Sequence, residues 1–356
     1  MADRRSFLAG LLATGLCPTR GWADLGNPAY LAAARLPSGK YALFGLSNDG
    51  APLFQIPLPN RGHASAAHPY HAVAVAFARR PGTFALVINC TSGTVIARLT
   101  APGGHHFSGH GTFSADGGLL FTAENDFENA RGMVGVWRTG DYARLTAFSS
   151  GGIGPHDLKL MPDGRRMVVA NGGIETHPDT GRTKLNLPTM RPNLTYLSLD
   201  GVVADQIEPP VEWHKNSIRH LAVHGDGRVA IACQWQGDLS DVPPLLATHD
   251  GGAALAFRAS GHGYERRMQG YAGSIAVSRN SRIAVTGPRG GLALIFDRSG
   301  QFQDTITEQD ICGVAPAADD LAFTTGLGRV LFPIATTWVT REHDLQWDNH
   351  LIAIAG

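Results

Sequence analysis

The sequence predicts an all-β protein, a seven-bladed β-propeller closed by its C-terminal strand, on three observations. A unit of strand, tight turn and strand recurs along the chain. Its copies stand on average about 48 residues apart, within the ~40 to 50 residues of a propeller blade. Strand-like runs are left over at both ends, three before the first unit and one after the last. The 44 glycines, 21 prolines and only 17% charged residues agree with a turn-rich β architecture, and 356 residues can bury a large core.

The opening residues, MADRRSFLAGLLATGLCPTRGWA, read as an export signal over residues 1–23. Arg4 and Arg5 stand directly before Ser6, Phe7 and Leu8, a short apolar run continues to Cys17, and small residues at Gly21 and Ala23 precede the expected cut. The arginine pair matches the twin-arginine type, which a receptor reads and which exports folded proteins. Residues 24–356 are then the propeller, expected in the periplasm. No later stretch reaches the ~18 to 20 apolar residues of a membrane span.

Three runs, YLAAARL, YALFGLS and PLFQIPL, supply strands without an anchored first strand. A looser copy of the unit follows, with His63, His68 and His71 as candidate anchors. Clear copies begin at His110, His156, His220, Ser274 and Val314, and HLIAIAG begins at His350 and stops after one strand. That strand completes the first blade and leaves only short, protected edges. The longest gap, from His156 to His220, contains IETHPDTGRTKLNLPTMRPN, too polar and interrupted to be a blade, and reads as an insertion.

Thirty basic and 30 acidic residues leave no net charge to draw the chain to nucleic acid or an anionic membrane. Beyond the signal, Cys90, Cys233 and Cys312 are odd in number, so at least one is unpaired. At strand ends they read first as small buried apolar side chains.

In a blade the innermost strand lines the channel, and the start of the first strand shares a face with the end of the second. This gathers His63, His110, His156, His220 and His350 near one mouth. It adds the polar strand tails, Glu124, Asn125, Asp126 and Glu128, then Asn171, then Gln234, Trp235 and Asp238. The insertion brings Glu175, His177, Arg182 and Arg191. A packing histidine of the WD type belongs about a dozen residues before the turn aspartate. That position falls near His105, with Thr122, Asp126 and Trp137 as partners. Neutral imidazoles are ligands for copper, iron, zinc and nickel.

The stretches RGHASAAHP with FARRPGTFA, GHGTFSADGGLLFTAENDFENARGMVGVW, GIGPHDLKLMPDGRRMVVANGGIETHPDTGRTKLNLPTM and SIRHLAVHGDG resemble the family called domain of unknown function 1513, exported YVTN/WD40-like propellers, along nearly all of the mature sequence. The resemblance implies a seven-bladed propeller, often encoded beside imelysin-like and di-haem periplasmic proteins of iron acquisition, and no established activity. Carried over residue by residue, it marks His63, His68, His110, His156 and His220, read here as metal ligands. It also marks Glu124, Asn125, Asp126 and Arg219, read as cofactor contacts. His71 and Ser274 gain nothing from it. More distantly, the repeat is similar to that of lactonase-type propellers.

The expected function is therefore binding of iron or copper, or a metal-containing ligand, at a histidine-rich channel mouth. Two other readings stand beside it. One is a hydrolase with His156 or His110 as general base, Glu124 or Asp126 orienting it, and Arg219 or Arg191 holding an anion, without a GxSxG nucleophile motif. The other is a scaffold presenting its face to a partner protein.

Overall fold

The computed structural model describes residues 21–79, 83–181, 183–318, 320–334 and 337–354. Arg4 and Arg5 of the expected export signal, Cys17 and Arg182 lie outside the described residues. Seven four-stranded antiparallel sheets form the ring. The first holds β1 (Tyr30–Arg35), β2 (Tyr41–Leu46) and β3 (Pro52–Leu58), the three runs read from the sequence. The second runs β4 (Gly62–Ala67), β5 (Val73–Ala78), β6 (Ala85–Asn89) and β7 (Thr94–Leu99). The third runs β8 (His105–Phe113), β9 (Leu119–Asp126), β10 (Arg131–Arg138) and β11 (Arg144–Ser149).

The fourth blade comprises β12 (Pro155–Leu160), β13 (Arg166–Asn171), β14 (Asn193–Ser198) and β15 (Val203–Ile207). The fifth comprises β16 (Asn216–Val223), β17 (Val229–Trp235), β18 (Leu246–His249) and β19 (Ala256–Arg258). The sixth has β20 (Ser274–Val277), β21 (Ile283–Gly287), β22 (Leu292–Phe296) and β23 (Phe302–Thr307). The seventh has β24 (Ile311–Ala317), β25 (Asp320–Thr325), β26 (Arg329–Ile334) and β27 (Thr337–Glu342). The last strand, β28 (Gln346–Ala353), returns to the first blade and pairs antiparallel with β1, with Ala353 opposite Tyr30 and Leu351 opposite Ala32. Chain end and chain start thus complete one sheet, and the innermost strands touch in sequence around the ring.

Burial is deepest in the middle strands and least in the outermost, and the sequence follows it. Middle strands such as β13, RMVVAN, are buried on both faces and carry near-continuous apolar runs, whereas the outermost strands β11, β15 and β27 are largely exposed. The apolar cores lie between neighbouring blades. Tyr30, Phe44 and Leu46 pack on Val330, Phe332, Trp347 and Leu351, and Val168 and Leu194 on Leu221 and Ile231. The insertion of the fourth blade joins β13 to β14 through 3-10 turns at Pro178–Thr180 and Leu187–Thr189. Among the described residues no helix is long and apolar enough to cross a membrane.

Candidate metal centre

Five innermost strands each carry one histidine to a shared point: His63 on β4, His110 on β8, His156 on β12, His220 on β16 and His350 on β28. The ladder slips beside each of the first four. Register shifts lie between Gly62 and Ser65, Phe107 and Gly111, Pro155 and Asp157, and Ile218 and His220. Bulges of this kind bend a strand and re-aim its side chains. On β8 the bulge includes Gly109, at φ +99°, where an added Cβ would stand 2.7 Å from His63 Cδ2. Only glycine allows both that backbone and that approach.

The five rings form one cluster. Centroids of His110 lie 5.1 Å from His63, 5.1 Å from His156, 5.5 Å from His220 and 4.8 Å from His350. His63 Nε2 and His350 Nε2 are 3.3 Å apart, a distance at which one nitrogen must donate to the other or a cation must take the proton's place. Two sets can hold a metal ion, His63 with His110 and His350, and His110 with His156 and His220. In each set the ligand atoms lie within 4.8 Å of one another. The second set is short of partners: His110 Nε2, His156 Nδ1 and His220 Nδ1 are buried without a hydrogen bond.

Two buried carboxylates orient the cluster. Asp157 Oδ1 lies 3.2 Å from His110 Nδ1 and also accepts from the Leu158 N–H, while Oδ2 accepts from the Leu221 N–H. Asp348 Oδ1 lies 3.4 Å from His63 Nδ1, and the carboxylate receives Arg61 at 2.5 Å and Arg79 at 3.1 Å. A carboxylate on Nδ1 fixes the tautomer and leaves Nε2 for a metal, as metal-ligating histidines generally require. Burial lowers the pKa of His63 to about 4, although Asp348 opposes it. Burial, then the neighbouring imidazoles, holds His156, His220 and His350 well below their ordinary value. His156 keeps some exposure to the cavity described next, yet protein crowds it enough for burial to dominate. These four rings are therefore neutral at pH 7, the form that binds a metal. Burial alone would raise both carboxyls. The Lys159 ammonium and His110 hold Asp157, and His63 and the two guanidiniums hold Asp348, well below the usual range.

Over the cluster opens a cavity of about 820 Å³, lined in part by His63, His156 and His220, by the insertion residues Thr176, His177 and Lys184, and by Arg219. His110 and His350 do not line it and lie behind the others. The sixth and seventh blades bring no histidine. Cys312 of the seventh blade lines the cavity, and burial pushes its thiol up to about 12.

A family model described as "Protein of unknown function (DUF1513)" matches residues 56–354. The chain belongs to the DUF1513 family. No protein of curated description matches the sequence. Among solved structures, Kuenenia stuttgartiensis hydrazine synthase is similar, with a TM-score of 0.61 at 12% identity over 85% of this chain and 89% of that one. At that identity the likeness shows the fold alone.

In this DUF1513 propeller the marked residues fall into three groups. His63, His110, His156 and His220 come together, joined by His350, and Arg219 lines the cavity above them. His68 does not join them. It follows the far end of β4, where Nδ1 accepts from the Tyr70 and His71 N–H groups, Nε2 meets the Gly117 carbonyl at 3.2 Å, and the ring stacks on His71. Glu124, Asn125 and Asp126 stand on the strand end expected but do not line the cavity. Arg144 donates two bonds to Glu124, Arg131 and Asn129 hold Asp126, and Asn125 contacts His106.

Glu124 and Asp126 flank His105 at 3.7 and 3.8 Å, and the Trp137 indole donates to Thr122, which donates to Glu124. That is the packing network read from the WD pattern, centred on His105. The carboxylate beside His110 is Asp157, so Glu124 and Asp126 do not orient a base there. Arg191 pairs with Glu208 at the surface. Asp157 and Asp348 are the functional candidates that the sequence reading did not mark. Their one signal is adjacency, Asp157 directly after His156 and Asp348 two residues before His350.

Proposed function

We propose that the protein holds one transition-metal ion, iron or copper, in the five-histidine cluster and serves as an exported metal-handling component. The observation that carries this reading is that His110, His156 and His220 each bring a ring nitrogen within 4.8 Å of the other two, and each has a buried ring nitrogen without a hydrogen-bond partner. Leaving such groups unsatisfied costs about 1 to 3 kcal/mol each, which a shared cation would remove. An all-imidazole donor set suits copper and iron along with zinc and nickel. The two three-histidine sets share His110, whose Nδ1 faces Asp157, so Nε2 is the lone pair available and it serves one ion at a time. In the setting that the family resemblance implies, imelysin-like and di-haem periplasmic proteins are the partners that would deliver or receive the ion.

Element analysis of protein purified from its own periplasm, followed by competition titration with Cu(I), Cu(II), Fe(II) and Zn(II), tests the reading. Copper or iron near one per chain, lost in His110→Ala, is the expected result. Protein that binds none of these ions more tightly than His110→Ala does would sink it.

A further inference from the structure

The cavity above the cluster is cationic. Arg61, Arg79, Lys184, Arg219 and Arg289 line it, and among the lining residues described Asp310 is the single carboxylate. Asp348 behind the wall offsets Arg61 and Arg79. Lys184 and Arg289 contact neutral groups. Lys184 donates to the Gln236 side-chain oxygen, and Arg289 lies over the Tyr271 ring at 4.3 Å and donates to the Gln269 carbonyl. Burial, then the charges of Arg219 and Arg289, lowers the pKa of Lys184, so these three cations are close enough to disfavour one another. An anion placed among them relieves that repulsion, and a protein-walled cleft of one sign draws it in.

The walls between the charges are mixed, with apolar Ile174, Pro178, Pro288 and Trp347 beside polar Thr83, Gln234 and Asn349. About 820 Å³ is the scale of a small organic ligand and far more than an inorganic ion fills. Guanidinium groups grip carboxylates through paired N–H donors. We propose that the cavity binds a small organic anion carrying two or more carboxylates, gripped by Lys184, Arg219 and Arg289 and by Arg61 and Arg79. It lies against His63, His156 and His220, so that one carboxylate completes the coordination of the metal. The coordinating carboxylate rests on the metal reading. The anion site does not.

Citrate is the probe, titrated calorimetrically into the full chain with and without metal, beside inorganic phosphate at equal ionic strength. On the metal-free chain citrate binds about tenfold more tightly than phosphate, and Arg289→Gln and Lys184→Gln each weaken it about fivefold without moving the melting temperature. Citrate no tighter than phosphate, or unchanged in both variants, overturns the anion site. His110→Ala, behind the cavity lining, loses metal and keeps citrate binding, which separates failure of the metal reading from failure of the anion site. Loaded protein binds citrate more tightly than metal-free protein, and citrate tightens the metal by the same factor. Equal citrate affinity in both forms overturns the coordinating carboxylate.

Discussion

At His110 the two three-histidine sets meet. Removing its ring breaks both, whereas removing His156 or His350 leaves the other set whole. His110→Ala should therefore lose metal more completely than either of those variants, and His68→Ala, on its separate stack with His71, should keep wild-type affinity in the same competition titration. Asp157→Asn should weaken the metal by about 10- to 100-fold while keeping the histidines in place, because an outer carboxylate sets ligand orientation and basicity. A second consequence is pH dependence of the metal-free protein. The native state keeps His63 neutral down to about 4, and the other lowered rings likewise resist protons, while an unfolded chain protonates them near 6.5. Between those values the unfolded state binds more protons, so stability is lost as pH falls, by about 3 kcal/mol from pH 7 to 4 for His63 alone. Asp157 and Asp348, with lowered pKa values, contribute fully across that window and lose their share only at lower pH. Melting temperatures at pH 7, 6 and 5 should descend. A flat profile would mean that the rings are not held neutral.

The elements that make the site are the bulged innermost strands and the strand that closes the ring. Gly109→Ala keeps the blade's apolar contacts but drives a methyl toward His63 at a φ that alanine resists. Metal affinity should fall with a stability cost of about 1 to 3 kcal/mol, read by titration and melting of one sample. Leu351, nearly fully buried between the first and seventh blades, should cost about 2 to 5 kcal/mol as alanine. Deleting residues 350–356 removes His350 and the β28 pairing with Tyr30, Leu31 and Ala32, and should destabilise the protein far more. If the truncation melts like the full chain, closure does not hold the ring. The strands, the insertion and this closure were legible because period and burial write themselves into local sequence. The bulges were not, since a slipped residue looks like any other in an alternating run. His68 resembled an anchor in the loosest repeat, but five residues at about 3.3 Å each carry it roughly 17 Å along β4 from His63. Asp157 and Asp348 were hidden because each serves a histidine on the neighbouring blade, and sequence offset carries no trace of that pairing. Glu124 and Asp126 showed the limit of the shared-face argument, which places strand ends but not the direction in which side chains leave them.

On the scale of the whole molecule, one blade is built from both ends of the chain, so the ring cannot close until β28 has been made. A fold of that kind suits export after folding, and the cysteines agree. Cys90, Cys233 and Cys312 are buried and free, and burial pushes the Cys90 and Cys312 thiols up to about 12, so among the described residues no disulfide contributes to the fold. We propose that folding, and with it metal loading, is complete in the reducing cytoplasm before export. We propose that the arginine pair of DRRSFLAG sends the closed, loaded ring across the membrane. Replacing Arg4 and Arg5 with lysine should leave a protease-resistant precursor in the cytoplasm, carrying as much metal per chain as the wild-type protein recovered from the periplasm. Fractionation with element analysis of both pools tests the two halves separately. Normal export of the double variant would remove the twin-arginine route, and a retained precursor that is folded but metal-free would move loading to the far side of the membrane.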